Sequence, residues 1–103
     1  MIYGYCRTAQ DDDYNIRKQM DAITEHCKEN NYEVEFYIDN GASGLTLDRP
    51  EMKKLLSKVK EGDTIIVSDI AMLTRNINDY EFILSRGIKV VICELIKIPK
   101  GRY

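Results

Sequence analysis

The sequence predicts an α/β fold: a three-layer domain with a mainly parallel sheet of four to five strands and helices on both faces. Three observations predict it. Short apolar or alternating segments take turns with segments of helical periodicity, in the order β-α-β-α-β-α-β. Strands that alternate with helices pair into a mainly parallel sheet covered on both sides. The 103 residues suffice for about one domain. A chain of that size buries about 60–70% of its unfolded surface, enough for one core without a disulfide or a metal.

The elements follow in order. Residues 2–8 (IYGYCRT) are rich in strand formers. Residues 14–30 place Ile16, Met20, Ile23 and Cys27 on one helical face. Residues 33–39 (EVEFYID) alternate and read as a strand, and Asn40-Gly41-Ala42-Ser43-Gly44 is a loop by composition. Pro50 suits the first turn of a helix whose buried stripe is Met52, Leu55, Leu56 and Val59. Gly62-Asp63 ends it, and Thr64-Ile65-Ile66-Val67 is a short buried strand. Residues 77–85 read as a helix capped by Gly87, and 88–93 (IKVVIC) as a last strand. Residues 1–96 form one domain on this reading. Residues 97–103 form a basic C-terminal tail, expected to fray or dock loosely.

Composition narrows the function. Charged residues make up 31% and apolar residues 44%, as in ordinary soluble domains. No apolar run approaches the roughly 20 residues of a membrane helix, and the N-terminus has no basic, apolar and small-residue sequence of a signal peptide. A membrane partner is not expected. Residues 1–48 hold 4 Lys/Arg against 10 Asp/Glu, a net of −6, and residues 49–103 hold 11 against 7, a net of +4. The second half could touch nucleic acid, although a solvated surface explains the same asymmetry. Cys6, Cys27 and Cys93 are odd in number, far apart and without a C-x-x-C pair. With a single histidine, they point to a reducing cytoplasm, no disulfide, no metal site and no cofactor.

Functional residues of parallel sheets gather at strand ends and in the loops that follow. Three such loops carry an arginine: Arg7, Arg49 and Arg75. Converging, they would make a phosphate site, because guanidinium forks match phosphate oxygens. Three unrelated surface arginines would give the same spacing.

The motifs around these arginines resemble the catalytic domain of serine site-specific recombinases, the resolvase/invertase family. Gly4-Tyr5-Cys6-Arg7 resembles that family's G-Y-x-R strand, and Gln19-Met20-Asp21-Ala22-Ile23 its Q-L-D-A-L helix. Asp39-Asn40-Gly41-Ala42-Ser43-Gly44 with Asp48-Arg49-Pro50 resembles its D-x-x-x-S-G…-R-P stretch. Gly62-Asp63-Thr64-Ile65-Ile66-Val67 and Leu73-Thr74-Arg75-Asn76 resemble its G-D-x-L-x-V strand and L-x-R-x loop. The resemblance implies a resolvase-like fold. It also implies an activity in which a serine attacks a DNA phosphodiester and forms a phosphoserine link. It places Arg7, Arg49 and Arg75 at phosphate-binding positions and Gln19 and Asp39 at supporting ones.

Three departures bear on that activity. The family's R-V-S-T reads Arg7-Thr8-Ala9-Gln10, so the nucleophile position is Ala9. A methyl group cannot attack phosphorus. The family's L-D-R-L-x-R reads Ile70-Ala71-Met72-Leu73-Thr74-Arg75, so an acid has become Ala71 and an arginine Met72. A lost transition-state donor costs about 100–1,000-fold, and a lost covalent nucleophile about a million-fold in a well-measured case. Thr8 points to the opposite strand face from Arg7 and position 9. Ser43 and Thr46 match no nucleophile position, and Ser68 and Thr74 flank the altered arginine loop. The acidic run Asp11-Asp12-Asp13 would repel a nearby phosphate, or simply begin a helix.

The family's domain continues after its fourth strand into a further strand, a dimer-forming helix and a DNA-binding domain. About ten residues follow Cys93 here, with only Lys97, Lys100 and Arg102 to replace them, so no base-reading element is expected. The expected function is a recombinase-family domain that has lost strand cleavage and serves as an interaction or modulatory subunit. It would pair with itself or with a recombinase, and touch DNA weakly and nonspecifically. The alternatives are an active serine recombinase, a phosphate- or DNA-binding module without chemistry, and a decayed fragment with no present role.

Overall fold

The computed structural model describes residues 1–93. The expected tail 97–103 and the domain boundary at 96 lie outside the described residues. The elements are β1 (Ile2–Thr8), α1 (Asp13–Glu29), β2 (Glu35–Asn40), α2 (Pro50–Lys58), β3 (Thr64–Val67), α3 (Ile70–Leu73), α4 (Ile77–Ser85) and β4 (Lys89–Ile92). Among the described residues the sheet has four strands, all parallel, in the order β2-β1-β3-β4.

Strand alternation sorts the core into two layers. Tyr3, Tyr5, Ile65 and Val67 face α2, α3 and α4, where they meet Met52, Leu55, Leu73 and Ile83. Cys6 and Ile66 face the other way, onto Ile16, Ile23 and Cys27 of α1. The result is the expected three layers, with one helix on one face and three on the other. Gly4 permits the close α1 layer: a Cβ there would stand 2.8 Å from Phe36 and 3.1 Å from Ile23.

Most boundaries fall within two residues of expectation. β2 begins at Glu35 rather than 33, and β4 is confined to Lys89–Ile92. Pro50 opens α2, and Gly87 adopts φ +79° just past α4, where its N–H reaches the Leu84 carbonyl. The one-turn helix α3 has no counterpart in the sequence reading. Its N-cap is Asp69, whose carboxylate accepts the Ala71 N–H at 2.8 Å.

Candidate functional site

The C-terminal ends of β1 and β3 open onto a cleft of about 340 Å³. Its walls come from the loop after β1 (Ala9, Gln10, Asp11, Asp12), from Asn15 of α1, and from Met72 and Arg75 around α3, with Arg7 and Thr8 ending β1. Arg7, Ala9, Met72 and Arg75 are therefore brought together. Gln19, Asp39, Arg49 and Ala71 stand behind or beside the cleft rather than in its wall.

Arg7 is buried, and its guanidinium is bonded to the fold. Nε donates to the Met72 carbonyl at 3.1 Å, Nη1 to Ala42 at 2.7 Å and Nη2 to Ala71 at 2.7 Å. These bonds clamp the loop after β2 to α3. Burial lowers the Arg7 pKa, and repulsion from Arg49 and Arg75 lowers it further. Gly44 leaves room for the clamp, since a Cβ there would lie 2.7 Å from Arg7 Nη2 and 3.2 Å from Arg75 Cγ. Gln19 holds the backbone of the same residue: its Nε2 donates to the Arg7 carbonyl at 2.9 Å and its Oε1 accepts the Arg7 N–H at 3.1 Å.

Arg49 is also buried. Nε donates to the Thr46 carbonyl at 2.8 Å and Nη1 to the Tyr5 hydroxyl at 3.0 Å, and the guanidinium lies 5.7 Å from the Tyr5 ring centroid. Tyr5 passes the chain on by donating to Asp39 Oδ2 at 2.7 Å. Burial, and then this bond to Asp39, push the Tyr5 phenol well above its ordinary range, so it stays protonated. Asp39 in turn accepts the Glu51 and Met52 N–H groups, each at 3.0 Å, and so caps α2 from the end of β2. The N-cap residue itself, Arg49, supplies no capping bond. Arg49 and Asp39 thus belong to a buried relay that orients α2, and neither lines the cleft.

Of the three arginines, Arg75 alone is exposed, and its guanidinium makes no hydrogen bond or ion pair among the described residues. Its N–H binds the Gly44 carbonyl at 2.9 Å, which fixes its place on the rim. Ala9 is exposed and Met72 half-buried. Thr8 is committed: its hydroxyl donates to Asn40 Oδ1 at 2.6 Å and accepts the Gly41 N–H at 3.1 Å. Ser43 and Thr46 accept the N–H groups of Leu45 and Asp48 in their own loop. Asp12 caps α1 by accepting the Asn15 N–H at 3.0 Å, and Asp13 accepts from Asn40 Nδ2 at 2.9 Å. The acidic run thus starts a helix and also sets Asp11 and Asp12 in the cleft wall.

Tyr5, Asn40 and Gly44 carry the site without having been singled out as site residues from the sequence. Asn40 ties Thr8, Asp12 and Asp13 together across 27 to 32 residues, and nothing local marks such a role. Cys6 is buried, and desolvation followed by the nearby Cys93 pushes its thiol up to about 12, so it is an inert core group. Cys93 is half-buried. No disulfide joins the three cysteines, and no cluster of metal-ligating side chains occurs among the described residues. No helix among them is long and apolar enough to cross a membrane.

A four-stranded parallel α/β domain of this kind is the fold of serine recombinase catalytic domains. The chain belongs to the resolvase N-terminal domain family, which matches residues 2–100. The Tn917 transposon resolvase of Enterococcus faecalis is 28% identical over 76 residues, covering 74% of this chain and 38% of that protein. The Tn501 transposon resolvase of Pseudomonas aeruginosa is 38% identical over 53 residues, covering 48% and 28%. Among solved structures, the N-terminal catalytic domain of TP901-1 integrase superposes with a TM-score of 0.76 at 23% identity, covering 89% of this chain and 76% of that one. A resolvase-family recombinase from Streptococcus pneumoniae gives 0.72 at 19%, covering 89% and 70%. These likenesses show the fold. The chain spans less than half the length of the resolvase relatives it matches.

Proposed function

We propose that this chain is a serine-recombinase catalytic-type domain that has lost strand cleavage and acts as an interaction or modulatory subunit in the cytoplasm. The observation that carries the proposal is the methyl group of Ala9 in the cleft wall, at the position where the family resemblance expects the attacking serine. Around it no hydroxyl takes over. Thr8 is bonded to Asn40, and Ser43 and Thr46 lie outside the cleft lining. Met72 offers neither charge nor donor where the resemblance expects an arginine.

Two measurements test the proposal. Incubation with supercoiled DNA carrying a recombination site, followed by a denaturing gel, is expected to show no covalent protein–DNA adduct. A clear adduct would overturn the loss of cleavage. Added to an active relative, the chain is expected to lower strand exchange through mixed oligomers. An unchanged rate at excess, with no complex detected, would sink the modulatory role.

A second reading is favoured by Arg75, which stands exposed beside Arg7 on the cleft rim: a phosphate- or DNA-binding module without chemistry. Asp11 and Asp12 oppose it, since two unit charges about 4 Å apart interact by about 1–4 kcal/mol in a wet site. Such binding is weak and nonspecific and fades steeply with salt. Equal oligonucleotide affinity at low and moderate salt would exclude it.

A further inference from the structure

Asn40 ends β2, and with Gly41 it forms the one Asn-Gly pair in the sequence. Such a pair is chemically labile, because glycine has no side chain to shield its backbone nitrogen from the amide before it. The fold nevertheless asks for both residues. Gly41 adopts φ +89°, and the loop after β1 passes 3.4 Å from where a Cβ would stand. Asn40 Oδ1 accepts the Thr8 hydroxyl at 2.6 Å and the Asp12 N–H at 2.8 Å, and Nδ2 donates to Asp13 Oδ1 at 2.9 Å. A backbone N–H can only donate and a carboxylate only accept, so both ends of the amide are used and its orientation is fixed. The Gly41 N–H is held as well, by the Thr8 carbonyl at 2.9 Å and the Thr8 hydroxyl at 3.1 Å.

We propose that Asn40 is a deamidation site which the fold keeps closed through Thr8, and whose conversion unfastens α1 from the end of β2. The reaction needs only water. The Gly41 nitrogen loses its proton and attacks Asn40 Cγ, closing a five-membered imide. The Cγ–Nδ2 bond breaks, and the amide nitrogen leaves with that proton as ammonia. Water then opens the imide at one of its two carbonyls, leaving aspartate or isoaspartate. Ring closure consumes the Gly41 N–H and makes Cγ tetrahedral, so the bonds that pin the N–H and the planar amide must open first. Thr8 belongs to both sets and is the guard. After conversion the donor to Asp13 is gone. Two carboxylates then face each other across the 2.9 Å that the hydrogen bond spans, and repulsion replaces a tie to the first turn of α1. The change also sets a further negative charge against Asp12 in the cleft wall.

Storage of the full chain in mildly alkaline buffer, with and without urea, followed by peptide mapping by mass, tests the site. In urea, Asn40 should convert faster than every other asparagine. In the folded chain it should convert at least about tenfold more slowly than in urea, since several hydrogen bonds must open together. Thr8→Val keeps the shape of the side chain but loses the hydroxyl, and should speed conversion of the folded chain about threefold or more. Asp13→Ala, at an exposed position, removes the partner of Nδ2 alone and should speed it too. Equal rates at Asn40 in the folded and unfolded chain overturn the proposal, as do Thr8→Val and Asp13→Ala chains that both convert no faster than the parent. Asn40→Asp stands for the product and should lower the denaturant midpoint. Adding Asp13→Asn returns a donor opposite the new carboxylate and should recover part of the loss. An unchanged midpoint in Asn40→Asp, or no recovery in the double variant, overturns the unfastening. These measurements involve no DNA, and their outcome is independent of whether strand cleavage has been lost.

Discussion

Restoring the hydroxyl at position 9 is expected not to restore an enzyme. Ala9 is exposed, so Ala9→Ser should change stability by no more than about 0.5 kcal/mol, and a silent variant could not be blamed on misfolding. The new oxygen would face a cleft with Arg75 on its rim but with Met72 in place of a donor. One missing transition-state donor costs about 100–1,000-fold. Arg7 cannot easily compensate. Its three nitrogens hold the carbonyls of Met72, Ala42 and Ala71 at 3.1, 2.7 and 2.7 Å. A hydrogen bond to a charged group contributes about 1.5–3 kcal/mol, so turning the guanidinium toward a phosphate opposes a clamp of roughly 5 kcal/mol. Ala9→Ser should therefore form protein–DNA adduct at least about 100-fold more slowly than an active relative on the same supercoiled substrate. Adding Met72→Arg should recover part of the deficit. An Ala9→Ser variant that forms adduct within about tenfold of the relative would refute the reasoning about Met72 and Arg7.

Other expectations test the frame of the site. Asp39→Asn leaves one oxygen for three donors, the Tyr5 hydroxyl and the Glu51 and Met52 N–H groups. It should cost about 2–4 kcal/mol and lower Tm by at least about 8 °C; a Tm within about 2 °C would show that α2 does not depend on this cap. Gly44→Ala drives a Cβ to 2.7 Å from Arg7 Nη2 and 2.9 Å from its Cζ. The overpacking should cost about 1–3 kcal/mol, read from the denaturant midpoint, and an unchanged midpoint would show that the clamp yields freely. The Lys60 N–H and, after it, the terminal ammonium hold the Asp63 carboxyl below the ordinary carboxylate range. A depressed folded pKa stabilises above the unfolded value and is lost as pH falls through the folded one. Asp63→Asn should lower stability at pH 7 and make the loss below about pH 4 shallower, whereas parallel acid limbs for the two proteins would contradict it.

The fold was legible because its signals are local. The four-and-three spacing of Ile16, Met20, Ile23 and Cys27 marks α1, Pro50 marks the start of α2, and the run Thr64–Val67 marks a strand buried on both faces. α3 was missed because one turn of Ile-Ala-Met-Leu is too short to show a period and reads as part of a loop. The sequence names residues that the fold sets near one end of the sheet, but not their arrangement there. Sequence spacing placed Arg7, Arg49 and Arg75 after successive strands, yet it could not show which of them faces inward. That depends on carbonyls from residues 35 to 65 positions away in the chain, and on a tyrosine 44 positions from Arg49. Backbone acceptors carry no sequence signature, so a clamped arginine and a ligand-binding arginine look the same in one dimension.

That difference decides how much the surviving arginines say about function. Arg7 fixes the loop after β2 to α3, and Arg49, through Tyr5 and Asp39, fixes the start of α2. The fold would need both even if no phosphate ever entered the cleft, so their presence is no argument for retained chemistry. The informative positions are those from which the fold asks little of the side chain. Ala9 and Arg75 are exposed there, and Ala71 and Met72 serve Arg7 through their backbone carbonyls alone. At three of these four positions the side chain that the resemblance expects is absent, and Arg75 is the exception. Arg75→Glu tests that exception: it should weaken salt-dependent oligonucleotide binding if the cleft holds phosphate. An affinity that Arg75→Glu leaves unchanged at low and moderate salt would take Arg75 out of any phosphate site.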